Sequence, residues 1–212
     1  MKEPICPYCK ATLKKTPQRK TKCPFCEKPI FVKSTPTDRN KHLMTEEEAI
    51  EVESKWAEHH EKERIIRSLQ AIGSTEKDLE KEQKSFFEKK PIQEAYNALL
   101  VKTANNHNDY HYRKMAHHQL ALELSRRNED FHVHLKEAAR YELLRYKQSH
   151  VRKVEILTAG KGNSCNECQK QSGKILDIET ALNTMPIPCS SCTHTGLGEK
   201  PGFCRCTYVA SF

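Results

Sequence analysis

The cysteines carry the chemistry of this sequence. Cys6-Pro7-Tyr8-Cys9 and Cys23-Pro24-Phe25-Cys26 stand near one end, and Cys165-Asn166-Glu167-Cys168, Cys189-Ser190-Ser191-Cys192 and Cys204-Arg205-Cys206 near the other. All ten cysteines of the 212 residues fall in these two blocks, and none in the 138 residues between them. Two thiolates separated by two residues grip one soft cation from a single tight turn, so paired pairs read as zinc sites. The first block, Cys-x2-Cys-x13-Cys-x2-Cys, brings four ligands to one tetrahedral centre and leaves no position open for catalysis. Iron suits the same donors. In the second block several ligand sets are open. Cys165, Cys168, Cys189 and Cys192 make a ribbon on spacing; Cys165 and Cys168 with Cys204 and Cys206 make another. A mixed set using Cys192 with Cys204, or a second ion held partly by His194, are further arrangements. Two structural zinc sites are expected, one per block.

Composition says where such sites are useful. Hydrophobic residues make up 36% of the chain and charged residues 30%, enough apolar surface for a helical bundle but not for a large enzyme core. No run of 18 apolar residues occurs, and Met1-Lys2-Glu3-Pro4 leads into no apolar segment. The expectation is therefore a protein of a reducing, cytoplasmic compartment, where bound metal is a stronger reading of many cysteines than disulfides. The net charge of +8 is concentrated: residues 1–45 hold 11 Lys/Arg against Glu3, Glu27 and Asp38, and the rest of the chain balances. A four-thiolate zinc site takes about 2 charges from that field, leaving the segment basic enough for nucleic acid or another acidic partner. A lysine-rich solubilising arm is the plainer alternative.

These sites need elements to hold them. Residues 1–34 read as a zinc ribbon, with strands at 11–14 and 19–22 joined through Thr16-Pro17-Gln18 and a third strand at 29–33. Residues 35–44 read as a polar linker. Residues 45–149 read as a helical domain. Thr45 with Glu48 caps the first helix, whose sparse apolar positions are Ile50, Trp56, Ile65, Ile66 and Leu69, and Gly73 ends it. Thr75 with Asp78 opens the second, which runs to about Glu88, and Pro91 opens the third. The fourth spans about 109–127 and the fifth about 129–148, with short connections that favour antiparallel hairpins. His107, His111 and His118 are expected on one helical face, with His132 and His134 on the next helix. No His-Glu-x-x-His accompanies them, so a polar surface is the plainer reading. Residues 150–212 read as a small α+β module: a strand near 151–157, a turn and strand at 172–176, a short helix at 177–182, and a last strand over 204–209 in which Cys204 and Cys206 face one side. The fold class is mainly α, central antiparallel helical hairpins flanked by two small zinc-stabilised β modules.

Two resemblances sit on these residues. The Cys-Pro-x-Cys knuckles at Cys6–Cys9 and Cys23–Cys26 resemble the zinc-ribbon and rubredoxin-like families. There the knuckle usually ends in glycine, which tolerates a left-handed turn; here Lys10 and Glu27 follow. The order Cys165–Cys168, Ser172-Gly173-Lys174, a short helix, a proline-rich segment and Phe203-Cys204-Arg205-Cys206 resembles the C-terminal segment of phage MuF-type head-morphogenesis proteins. The resemblance covers about 50 residues, and Gly202-Phe203 occupy the approach where that family has a histidine. It favours Cys165, Cys168, Cys204 and Cys206 as ligands, and it implies a role in virion assembly.

The function expected is binding rather than catalysis. Lys14, Lys15, Arg19, Lys20 and Lys22 would meet nucleic acid, with Tyr8, Phe25 and Phe31 available for stacking, while the helical domain meets a protein partner. A phage-type structural assembly protein is the alternative. A metal-dependent nuclease is a third reading, and it rests on His194 alone.

Overall fold

The computed structural model describes residues 3–85, 91–160 and 163–212. By internal contacts the chain divides into two compact units, 1–65 and 66–212.

The first unit is a three-stranded antiparallel sheet in the order β1-β2-β3, from β1 (Thr21–Lys22), β2 (Pro29–Lys33) and β3 (His42–Met44). The strand expected at 11–14 is reduced to a single bridge between Ile5 and Thr12, and β1 is two residues long. Proline lacks a backbone donor and like charges facing each other repel, so a stretch carrying Pro17 among lysines cannot ladder. Residues 14–20 instead form an open loop. The third strand of the sheet comes from the segment expected to be a linker: Val32 pairs Leu43, and Met44 is buried. Helix α1 (Glu46–Ala71) follows at once. Its capping box forms as expected, the Glu48 N–H donating to Thr45 Oγ1 at 3.2 Å and the Thr45 N–H to Glu48 Oε2 at 2.8 Å. Of the expected inward positions of α1, Ile65 and Leu69 are buried, whereas Ile50 is exposed and Ala49 and Val52 turn inward in its place. Tyr8 OH accepts from the Glu46 N–H at 2.8 Å and Trp56 Nε1 donates to Ser34 O at 2.8 Å, tying the first turns of α1 to the ribbon.

The second unit begins with a helix stop. Gly73 N–H donates to Gln70 O and Ser74 N–H to Leu69 O, a Schellman motif, and Gly73 sits at φ +70°. A β-carbon there would lie 2.9 Å from the Tyr112 ring. Gly73→Ala is therefore expected to cost about 1–3 kcal/mol, through left-handed strain and a displaced ring. A fall in thermal midpoint on that order is the measurement; an unchanged midpoint would remove the motif from the stability account.

Helices α2 (Glu76–Lys84), α3 (Ile92–Asn106), α4 (Tyr110–Arg126) and α5 (His132–Gln148) follow. Thr75 with Asp78 caps α2, and the expected end near Glu88 lies outside the described residues. Gln93 meets Glu123 and Asn105 meets Arg113, so α3 and α4 run antiparallel. His117 with His134 and Arg113 with Tyr141 show the same for α4 and α5. Lys114 and Arg145 both pair with Glu142, whose buried charge is thereby compensated.

Strand β4 (Lys153–Leu157) is the centre of a second antiparallel sheet, β5-β4-β6, with β5 (Ile175–Asp177) and β6 (Thr207–Ser211). Helices α6 (Asn166–Gln171) and α7 (Ile178–Thr184) complete the chain. Strand β6 starts at Thr207, so Cys204 and Cys206 lie in irregular chain before it and do not alternate along a strand. The sheet, α6 and α7 share one core with Leu143 of α5. With so few apolar residues of its own, the C-terminal segment completes its interior with a side chain from α5.

Among the described residues no helix is long and apolar enough to cross a membrane. The fold is mainly α, a helical body with small antiparallel sheets near both ends, and the cysteine clusters at both ends fit small metal-stabilised modules.

Candidate metal centres

At the N-terminal end, the sequence places its four thiols on two tight turns and the fold brings the turns together. The Sγ atoms of Cys6, Cys9, Cys23 and Cys26 all lie within 4.8 Å of one another, with Cys6–Cys26 at 3.9 Å and Cys9–Cys23 at 3.8 Å. A tetrahedral zinc with bonds of about 2.3 Å needs sulfur–sulfur edges of about 3.8 Å, so this set could hold one metal ion with little adjustment. Each knuckle ends in a left-handed residue, Lys10 at φ +60° and Glu27 at φ +59°, so both take the turn that glycine usually takes. The backbone supports the ligands as well: the Phe25 N–H points at Cys23 Sγ at 3.4 Å. Burial opposes ionisation of Cys23, but the Cys26 and Phe25 N–H groups outweigh it and bring the thiol down to about 7. At Cys26 the Lys28 N–H favours the thiolate, but burial and the neighbouring cysteine sulfurs outweigh it and push the thiol up to about 11. A cation would remove that conflict by displacing the protons.

At the C-terminal end the thiols arrive from three places. Cys165 caps α6, its Sγ accepting from the Cys168 N–H at 3.4 Å, and Cys168 is buried in the first turn. Cys189 and Cys192 lie in the loop after α7. Tyr208 positions that loop, its hydroxyl donating to Ile187 O at 3.2 Å and accepting from the Ile187 N–H at 3.4 Å. Burial pushes the Tyr208 hydroxyl up to about 12, so it stays a donor. Cys204 and Cys206 precede β6. A loop braces this approach: Gly198 passes so close to α4 that a β-carbon would lie 1.9 Å from Ser125 O, and Phe203 packs against Phe131 at 5.3 Å between ring centres.

Two groups of three thiols result: Cys165, Cys168 and Cys192, and Cys168, Cys204 and Cys206. Either could hold a metal ion. Cys189 joins through Cys168, sulfur to sulfur at 3.5 Å, and Cys168 lies 3.4 Å from Cys204. Each triad is part of one four-thiol set read from the sequence, the first of the ribbon set and the second of the set the resemblance favours, and Cys168 belongs to both. His194 belongs to neither group; its Nδ1 lies 2.5 Å from Thr195 O. Burial drives the thiols of Cys168 and Cys192 up, the latter to about 12, so without a cation they stay protonated.

The histidines do not gather as the sequence suggests. His107 caps the end of α3, so the expected face of His107, His111 and His118 is broken between two helices. The residue that matters is His117, buried, with Nδ1 3.0 Å from Nδ1 of His134 and its ring stacked on Tyr141. Burial, with His134 and Arg113 beside it, pushes His117 down to about 4. Its folded value lies below the free value, so protonation favours unfolding. Stability is complete above about pH 6.5 and falls toward pH 4, by on the order of 2–3 kcal/mol over that window. By NMR the His117 ring should show no titration between pH 8 and 5; a midpoint near 6.5 would contradict its burial.

The five basic residues read from the sequence fall together. Lys14, Lys15, Arg19, Lys20 and Lys22 line a hollow of about 850 Å³ with Leu13, Phe25 and Ile30. Lys20 Nζ lies 4.3 Å from the centre of the Phe31 ring, and Phe25 is 63% exposed.

No protein-family model, curated protein or solved structure matches the chain. The likeness of the C-terminal segment to head-morphogenesis proteins thus stands on its quoted residues alone, while the two cysteine clusters stand on geometry as groups able to hold metal ions.

Proposed function

We propose that this is a zinc-dependent, non-catalytic protein whose N-terminal ribbon binds single-stranded nucleic acid, with the ten cysteines as zinc ligands. The observation that carries the reading is the hollow beside the knuckles. Five cationic side chains rim it, and Phe25 stands exposed at the edge. A chain of phosphates needs closely spaced cations, and an unstacked base needs an aromatic face, and a rim with both suits single strands better than duplex. The open loop at 14–20 supports the same reading, because its lysines stay free of a sheet ladder. A thiolate site in the ribbon holds that loop in place.

The test is fluorescence anisotropy with a labelled 12-nucleotide strand at several salt concentrations. Binding should weaken with a log–log slope of about −3, as for four to five phosphate contacts. Phe25→Ala should weaken binding about 5–50-fold at fixed salt, the scale of one lost base stack, without changing that slope. Equal affinity for duplex and strand, together with an inert Phe25, would refute the single-strand reading.

A further inference from the structure

We propose that the C-terminal thiols hold two metal ions rather than one, with Cys168 as a thiolate shared between them. The inference rests on the reading of these cysteines as zinc ligands and adds a second ion to it.

Three observations converge. First, Cys168 is a member of both three-thiol groups, and its Sγ lies 3.5 Å from Cys189 and 3.4 Å from Cys204. Second, the two ends of the chain differ. The N-terminal thiols form one set of four in mutual reach, the signature of one tetrahedral ion, whereas among the described residues five of the six C-terminal thiols form two overlapping triads and the sixth, Cys189, touches Cys168. Third, Cys168, Cys189, Cys192 and Cys204 are each at most 9% exposed within one core. One four-coordinate ion would leave two of the six thiols without metal.

Coordination counting fits the same arrangement. Two tetrahedral ions have eight positions for six sulfurs, so two sulfurs must each serve both ions. Cys168 is one. Cys189 touches Cys168 at 3.5 Å but lies outside both triads, so to be the other it must close on their remaining thiols when the ions bind. Cys165 and Cys192 then complete one ion, and Cys204 and Cys206 the other. Six thiolates and two dications leave the cluster with a charge of about −2, and loading it releases the thiol protons.

The test uses the full chain, first by native mass spectrometry after zinc loading. Wild-type protein should carry three ions, and Cys6→Ser, which removes the ribbon site, should carry two. Two ions in wild type and one in Cys6→Ser would overturn the shared-ligand site while leaving the zinc reading intact. An empty chain would overturn both. Because Cys168→Ser could simply unfold the module, the bridge itself is read in wild type loaded with cadmium-113. A shared thiolate gives two C-terminal resonances split by coupling to each other; unsplit signals would overturn the bridge.

Discussion

A Cys6→Ser chain should carry one metal ion fewer, and its residues 3–44 should lose their fixed structure. The reason is the thinness of the ribbon core, which consists of Cys6, Leu13, Cys23 and Ile30 with partial cover from Tyr8, Cys26 and Leu43. Two of its four buried members are themselves thiols. Burial of two aliphatic side chains contributes only about 3–6 kcal/mol. Structural zinc in small fingers supplies about 10–16 kcal/mol, so the metal is the larger of the two terms. Trp56 offers a local readout, since its indole donates to Ser34 O and should become more solvated as the ribbon loosens. Amide signals from 110–148 should stay in place. A ribbon that keeps its dispersed amide spectrum in Cys6→Ser, or in strong chelator, would show that metal is not what orders it.

The second large effect is electrostatic. Reversing Lys14, Lys20 and Lys22 to Glu changes the local charge by six while leaving every thiol untouched, so the metal count should stay at the wild-type value. Each cation that meets a phosphate is worth about 1 kcal/mol at low salt, and a reversal adds repulsion to the loss. Affinity for the single strand should fall at least a hundredfold, and the salt slope should flatten as the remaining contacts drop to two. Undiminished binding by this triple variant would mean that the hollow is a solvated surface and that any nucleic acid is held elsewhere.

Much of the architecture could be read in advance, for reasons that are local. Thr45 with Glu48, Thr75 with Asp78, Pro91 and Gly73 each announce a helix end through their own backbone chemistry, and the helices begin and stop where those residues stand. The cysteine pairs were equally legible, because spacing alone fixes which thiols share a turn. What stayed hidden depends on contacts between distant residues. Helix α6 was missed because its capping atom is a cysteine sulfur. Strand β3 was missed because three residues inside a polar stretch carry too little pattern. His117 was overlooked because a count of helical positions that started from His107 crossed the break capped by Asp109. Cys168 stood in both four-thiol sets read from the sequence, but its simultaneous contact with Cys189 and Cys204 could not be foreseen, since it arises where α6, the loop after α7 and the approach to β6 meet.

The two left-handed residues after the knuckles, Lys10 and Glu27, carry a consequence for how this ribbon tolerates change. An L-residue held in that region costs about 1–2 kcal/mol, and glycine would adopt it freely. The ribbon therefore operates below the robustness open to its own topology. Lys10 recovers part of the loss locally, its ammonium donating to Pro7 O at 2.8 Å and keeping a cation against the thiolate turn. An engineer seeking a hardier version would begin with Glu27, where no such compensation is in hand, and leave the lysine alone.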